Sequence, residues 1–283
     1  MRGIVIFTDL DGSLLDHHNY SHAAADGLLA ELEEGAIPVI PVSSKTRSEL
    51  LELRRELGNR HPFIAENGAA VYIPDGYFGF RPAETLERAG YLVREFSQPR
   101  QHWLDKLQQV ADRFPGDFSS FADLDSETIA EWTGLSLEAA RRASQREYGE
   151  PIRWFGSETA KADFVATMQG MGATLLQGGR FLHLSGDCDK GRALAWLNRQ
   201  YAMETGEEPL SIAIGDSQND AAMLEAADHA LIIQSPSHPS PELKRTDKVL
   251  ISEAFGPQGW NEGVRKILTT IEQTNGTRQD SHG

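Results

Sequence analysis

Apolar residues along this chain come in two alternating patterns, short unbroken runs and three-to-four-residue spacings, and their order predicts the architecture. The run Ile4-Val5-Ile6-Phe7 is rich in β-branched residues, the mark of a strand buried on both faces of a parallel sheet, and it stops at Thr8-Asp9-Leu10-Asp11-Gly12. Residues 21–34 carry Ala24, Leu28, Leu29 and Leu32 at helical spacing, with Gly35 as the stop. A second apolar run over 37–42 leads into Ser43-Ser44-Lys45-Thr46, and another helical pattern over 47–57 closes at Gly58. Strand, helix, strand, helix predicts parallel strands joined by right-handed crossovers. A short strand over 62–65 then turns at Asn67-Gly68 into 69–73 as a hairpin, and Pro74-Asp75-Gly76 marks a loop.

The character changes near residue 80. Helical patterns over 100–114, 126–132, 136–148 and 157–169 mix with strands near Leu92 and over 152–155, 174–177 and 180–184, the last two joined by Gly178-Gly179 as a tight hairpin. Such a segment, set inside a βα alternation, reads as an inserted α+β domain. The alternation resumes with a helix over 190–205, a strand over 211–214, a helix over 217–226 and a strand over 230–233. A proline-rich loop over 235–241, an edge strand over 249–251 and a helix over 263–272 complete it, and the polar residues 274–283 are expected to fray. The predicted class is α/β: a Rossmann-like parallel-sheet core of residues 1–80 and 186–283, carrying an inserted domain of residues 81–185.

Composition narrows the class further. With 283 residues, 40% hydrophobic, 24% charged and no long apolar run, the chain reads as a soluble globular protein of two modest domains. The first apolar run stops at Phe7 with acids behind it, so no export signal is expected. The single cysteine, Cys188, has no partner for an internal disulfide and fits a reducing compartment, so the expected location is the cytoplasm. A net charge of −15 without a basic run argues against nucleic acid and anionic membranes as partners and leaves a small molecule.

The chemistry lies at the strand ends. Carboxylates at the carboxyl end of a central parallel strand stand over the crevice where open α/β sheets bind ligands, which makes Asp9 and Asp11 candidates. A calcium loop starting at Asp9 is excluded, because its sixth and twelfth positions hold Leu14 and Tyr20 in place of glycine and glutamate. A second cluster, Gly215-Asp216-Ser217-Gln218-Asn219-Asp220, follows another apolar strand, and neighbouring strands would bring Asp216 to Asp9 and Asp11. Two unit charges ~4 Å apart repel by roughly 4 kcal/mol at an effective dielectric near 20. Asp9, Asp11, Asp216 and Asp220 are therefore the candidate metal ligands, and a hard oxygen set with open positions suits Mg2+. Ser43 and Ser44, with a helix opening behind them, read as a helix cap or as an anion cradle. Lys190, at the start of another helix, supplies a cation. Together these parts fit phosphoryl transfer with a carboxylate nucleophile.

The motifs Asp9-Leu10-Asp11-Gly12-Ser13, Ser43, Lys190 and Gly215 through Asp220, in that order, resemble the haloacid dehalogenase superfamily of aspartate-nucleophile phosphatases, and the insertion resembles its larger C2-type cap. Within it, Ser43-Ser44-Lys45-Thr46-Arg47, Glu66-Asn67-Gly68-Ala69, Thr133-Gly134-Leu135-Ser136, Arg146-Glu147-Tyr148-Gly149-Glu150-Pro151, Gly178-Gly179-Arg180-Phe181 and Gly256-Pro257-Gln258-Gly259-Trp260 resemble the mannosyl-3-phosphoglycerate phosphatase family. That resemblance spans nearly the whole chain and departs at Gly149, where the family pattern has serine.

The resemblance implies a Mg2+-dependent phosphatase in which Asp9 attacks phosphorus and Asp11 protonates the leaving alkoxide, then activates water. Ser43 and Lys190 would hold the phosphoryl oxygens. Asp9, the Asp11 carbonyl and Asp216 would ligate the metal, supported by Asp220. Substrate contacts are implied at Ser44, Lys45, Arg47, Glu66, Asn67, Thr133, Ser136 and Arg180. Arg180 and the helix start at Thr133 to Ser136 are the expected receptors of a glycerate carboxylate, while His183 is expected to be packed. The implied reaction takes mannosyl-3-phosphoglycerate to mannosylglycerate and phosphate. Another glycosyl-3-phosphoglycerate or a sugar phosphate is the alternative substrate, and a phosphomutase is the neighbouring reaction. A non-catalytic binding module is the rival of another class, against which the intact Asp9, Asp11, Lys190 and Asp216 argue.

Overall fold

A computed structural model of the chain describes residues 2–178 and 180–280. The first part runs β1 (Ile4–Thr8), α1 (Asp26–Glu34), β2 (Val39–Pro41), α2 (Arg47–Glu56), β3 (Phe63–Ala65), β4 (Ala70–Pro74), β5 (Leu86–Arg88) and β6 (Tyr91–Glu95). The insertion follows as α3 (Arg100–Val110), β7 (Phe118–Ser120), α4 (Ser126–Thr133), α5 (Leu137–Ser144), β8 (Glu150–Trp154), α6 (Glu158–Gly170), β9 (Thr174–Gly178) and β10 (Phe181–Ser185). The chain ends with α7 (Lys190–Thr205), β11 (Leu210–Gly215), α8 (Ala221–Ala226), β12 (His229–Gln234), β13 (Val249–Phe255) and α9 (Gly256–Asp280).

The core is a five-stranded sheet in the order β13-β12-β11-β1-β2, parallel throughout. Both faces are covered, which is why β1 is apolar at consecutive positions: Ile6 faces the cluster with Leu28, Leu32, Leu50 and Val264, while Val5 and Phe7 face the one with Ala193, Leu194 and Leu197. Burying side chains of this size contributes roughly 1.5–3 kcal/mol each. The register fixes the site. Thr8 pairs with Ile214, so Asp9 and Asp216 each follow a paired strand end.

Beyond β2 the chain extends into an antiparallel sheet, β3-β4-β6-β5, tied to the core where Val42 bridges Ile64. The expected break after residue 80 falls inside this sheet. β6 pairs with β4 from Glu95 opposite Ala70 to Tyr91 opposite Pro74, because Val93 and Leu92 bury into the two core clusters on its opposite faces. The segment that leaves the core runs from α3 to β10. Its own sheet, β7-β8-β10-β9, buries Ile152, Leu182 and Leu184 against Trp103, Leu107 and Phe164 on one side. On the other, Phe181 packs with Phe121, Ile129 and Ala140.

The helix expected over 21–34 begins at Asp26 and the one expected over 217–226 becomes α-helical at Ala221, and two others differ for reasons of packing. The one expected over 136–148 ends at Ser144, because residues 147–149 turn their amides onto Glu66 in the core. The one expected over 263–272 begins at Gly256 and runs to Asp280. Its early glycines serve close packing, since a Cβ on Gly259 would lie 2.1 Å from the Ala254 carbonyl oxygen and one on Gly263 2.5 Å from Leu231. Residues 274–280, expected to fray, belong to that helix, while 281–283 and Gly179 of the expected Gly178-Gly179 turn lie outside the described residues. No helix among the described residues is long and apolar enough to cross a membrane.

Candidate active site

β1 delivers Asp9 into the crevice, and its exit is held from behind. The buried Thr8 hydroxyl donates to the Asp9 carbonyl at 2.7 Å and accepts from the Trp260 indole at 3.0 Å. The turn that follows needs Gly12: its φ is +83°, and a Cβ there would sit 2.4 Å from Asp216 Oδ2. Asp9, Asp216 and Asp220 are all buried, with one ligand oxygen from each within 4.8 Å of the others. Lys190, the first residue of α7 and fully buried, places Nζ 2.5 Å from Asp9 Oδ1 and 2.6 Å from Asp220 Oδ1. Asp220 Oδ2 accepts from the amides of Asp216 and Ser217, both at 3.1 Å. Both Asp220 oxygens are thus in use, the geometry of a supporting acid.

Three buried carboxylates facing one ammonium carry two surplus negative charges when all are ionised, and the titration of the group reflects this. Burial, then Asp220, pushes the Asp9 carboxyl well above its ordinary value, against the pull of Lys190. Burial and Asp220 likewise raise Asp216 to about 6. Burial works to lower the Lys190 ammonium, but Asp220 and Asp9 outweigh it and hold it above the usual lysine value. Hard oxygen donors with surplus negative charge in a low-dielectric crevice are a donor set that fits a divalent cation.

Asp11 lies two residues further on. Its Oδ2 pairs with Lys45 Nζ at 2.8 Å, and its buried Oδ1 has no partner among the described residues. Ser43 is buried just beyond β2, where its Oγ accepts from the Lys45 amide at 3.2 Å and its hydroxyl hydrogen is left to donate. The Ser44 carbonyl accepts from Arg146 Nη2 at 3.0 Å. Asn67, at φ +59°, closes the rim, its side-chain carbonyl accepting from Asn219 at 3.2 Å. The structure therefore brings Asp9, Asp11, Ser43, Lys45, Lys190, Asp216 and Asp220 together.

Other residues expected at the substrate have different work. Glu66 is buried and accepts from the amides of Glu147, Tyr148 and Gly149 at 2.7, 3.2 and 2.6 Å, with Arg146 Nε at 3.5 Å. Arg47 pairs with Glu147 at 2.6 Å. These contacts pin the inserted domain to the core. The serine absent at 149 would be tight, since a Cβ there lies 3.3 Å from Glu66 Oε2. Thr133 donates back to the Ile129 carbonyl at 2.6 Å within α4, and Ser136 caps α5 through the Ala139 amide at 3.2 Å. Arg180 is exposed at its hairpin and has no side-chain partner among the described residues. The ring of His183 is driven down to about 4 by burial and by Arg146, which keeps it neutral as a packed residue.

Sequence reasoning missed three participants. Arg146 and Glu147 stand in a segment whose helical pattern hid their turn toward the core, and His238, in the proline-rich loop, places Nε2 3.1 Å from Asp216 Oδ2. A loop without periodicity gives no signal for such a contact.

Residues 6–93 match the family model described as haloacid dehalogenase-like hydrolase, and residues 173–266 match that of sucrose-6F-phosphate phosphohydrolase. The chain is 37% identical over 265 residues to the glucosyl-3-phosphoglycerate/mannosyl-3-phosphoglycerate phosphatase of Methanococcoides burtonii, covering 93% of this chain and 97% of the relative. It is 35% identical over 271 residues to the protein of the same description from Persephonella marina, covering 95% and 99%. The sucrose-phosphatase of Synechocystis sp. PCC6803, solved with sucrose and phosphate, shares the fold at a TM-score of 0.60 and 16% identity over 94% of this chain and 98% of that one.

Proposed function

The chain belongs to the haloacid dehalogenase-like hydrolases and is a phosphoric monoester hydrolase with an inserted C2-type cap, and from that premise we propose that it is a Mg2+-dependent phosphatase of glycosyl-3-phosphoglycerates, the mannosyl ester first and the glucosyl ester beside it. The observation that carries the proposal is the division of labour between two acids on one turn. Asp9 is buried against Lys190, whereas the partly exposed Asp11 keeps one buried oxygen without a partner among the described residues, a hydrogen-bonding capacity left for a leaving group or water.

In the first step an Asp9 oxygen attacks phosphorus and the bond to the glycerate oxygen breaks. The electron pair goes to that oxygen, which takes a proton from Asp11. In the second, Asp11 removes a proton from water, the water oxygen attacks the phosphorus of the aspartyl phosphate, and Asp9 is released with inorganic phosphate. The Ser43 hydroxyl and the Lys190 ammonium hold phosphoryl oxygens through both steps. Asp9, the Asp11 carbonyl and Asp216 would hold Mg2+, which supplies charge neutralisation that lets a phosphate dianion approach a carboxylate.

The test is phosphate release by the purified protein from mannosyl- and glucosyl-3-phosphoglycerate, 3-phosphoglycerate and a panel of sugar phosphates, with EDTA and after Mg2+ is restored. Glycosyl phosphoglycerates are expected to be hydrolysed fastest, and only with Mg2+. Faster release from simple sugar phosphates, or conversion of a sugar phosphate to its isomer in place of release, would reject the assignment.

A further inference from the structure

The two oxygens of Asp216 are not equivalent. Oδ2 lies where Gly12 permits it, 2.4 Å from the position a Cβ would take, and faces His238 Nε2 at 3.1 Å. Among the described residues no hydrogen bond from another residue reaches Oδ1. The other ring nitrogen of His238, Nδ1, lies 3.1 Å from the Pro239 carbonyl, so a neutral ring donates to one of the two acceptors and a protonated ring to both. An unanchored loop would make such a contact incidental, but this one is anchored. Glu242 N donates to Gln218 at 3.0 Å, the Lys244 and Arg245 amides both donate to Glu225, and Arg245 Nη1 donates to the Leu224 carbonyl at 3.2 Å. Residues 238–245 are thus stitched along Asp216, the turn after it and α8. Pro236, Pro239 and Pro241 restrict the chain further.

We propose that His238 is a positioning residue for the metal: by occupying Oδ2 it fixes the Asp216 carboxylate with Oδ1 turned to the cation. A carboxylate free to rotate would offer either oxygen and would lose orientational freedom on binding the cation. One held through its second oxygen has lost that freedom beforehand, and removing a partner of this kind weakens metal affinity by about 10–100-fold in known sites. The inference rests on the metal-dependent reading given above and concerns only affinity for the cation.

The test measures binding without substrate, titrating the intact protein with Mg2+ by calorimetry and with Mn2+ by electron paramagnetic resonance. His238→Ala is expected to weaken both by about 10–100-fold, and His238→Gln, whose amide N–H reaches the place of Nε2, to recover most of the loss. Recovery by glutamine separates positioning from general damage to the loop. Unchanged affinity in His238→Ala overturns the inference, and tighter binding overturns it by showing that the ring competes with the cation. Failure of the unaltered protein to bind either ion would reject the metal-dependent reading together with the inference, an outcome distinct from a wild type that binds and a variant that binds equally.

Discussion

Two sets of carboxylates, one at the catalytic crevice and one at the junction of core and cap, are answered by charge to different degrees. At the junction, Glu66 receives three amides and Arg146, while Glu147 receives Arg47 at 2.6 Å, Arg88 at 2.8 Å and the Tyr72 hydroxyl at 3.1 Å. Burial works to raise the Glu147 carboxyl, but Arg47, Tyr72 and Arg88 outweigh it and hold it below the ordinary glutamate value. At the crevice, Asp9, Asp216 and Asp220 share Lys190, and Asp9 and Asp216 are pushed upward. A carboxylate fully answered within the chain holds the fold. One left short of positive charge can accept a ligand's, and that difference sets Asp9 and Asp216 apart from the acids of the junction.

Substitutions can break this contrast. Asp9→Asn should lower phosphate release by about a thousandfold or more, as loss of a nucleophile and charge-stabilising group does, while the thermal midpoint of the metal-free protein stays level or rises. Near-normal turnover, or a large fall in the midpoint, would show that Asp9 is a structural acid after all. Glu66→Ala should do the reverse, costing about 3 kcal/mol of stability by stranding Arg146 and three amides. Chemical denaturation measures the loss, and an unaltered midpoint would mean that the junction carries no net stabilisation.

Lys45 stands between the two cases, since it answers only one oxygen of Asp11. Lys45→Met should lower kcat/KM for a glycosyl phosphoglycerate by about 10–100-fold and that for p-nitrophenyl phosphate by less, because an activated leaving group needs little protonation. Equal losses on both substrates would detach Lys45 from the acid step.

The smallest effect is on pH dependence. In the metal-free folded protein Asp216 titrates at about 6, against 3.8 for the free side chain, and Asp9 is raised as well, so between these values the folded state binds more protons than the unfolded one. Stability from these groups is present at low pH and is lost as the pH rises through that window. Glu147, shifted the other way, loses its contribution only as the pH falls through the ordinary glutamate value of 4.5, so it adds no slope above about pH 5.5. Acidifying from about pH 7.5 to about pH 5.5 in EDTA should therefore strengthen the contribution of these two acids by on the order of 1–2 kcal/mol, while His183, held neutral in the fold, opposes it by a similar amount as the unfolded chain takes up its proton. The contribution of the acids is read as a difference: Asp216→Asn or added Mg2+ should make acidification less favourable than in the unaltered metal-free protein, and identical curves would place the titration elsewhere.

The same contrast explains how much could be read beforehand. The α/β class, the order of motifs and the meeting of Asp9 with Asp216 follow from apolar periodicity, because strand ends in a parallel sheet lie side by side. Glu66 and Arg47 were expected at the substrate because their residue types suit it. Whether a charge is already answered depends on partners far along the chain: Glu66 meets the Glu147 amide 81 positions away, and Arg47 meets the Glu147 carboxylate 100 positions away. The strand over Tyr91–Glu95 was assigned outside the core for a similar reason, its partner β4 lying across a loop rich in turn residues. Glycines at 256, 259 and 263 hid the first turns of α9, since the first takes a positive φ and the other two permit close approach, neither of which periodicity can show.

The pairing of β1 with β11 also sets the order in which the enzyme can come into being. Asp9 is made before the cap, but Asp216 and Asp220 emerge from the ribosome only after the whole cap has been synthesised. Until β11 slots in beside β1, a long-range parallel closure of the kind that forms slowly, the nascent chain has the proposed nucleophile without its second acid motif. On the proposed mechanism the growing polypeptide is consequently silent toward phosphate esters, as is a fragment truncated before residue 210, however well its cap has folded.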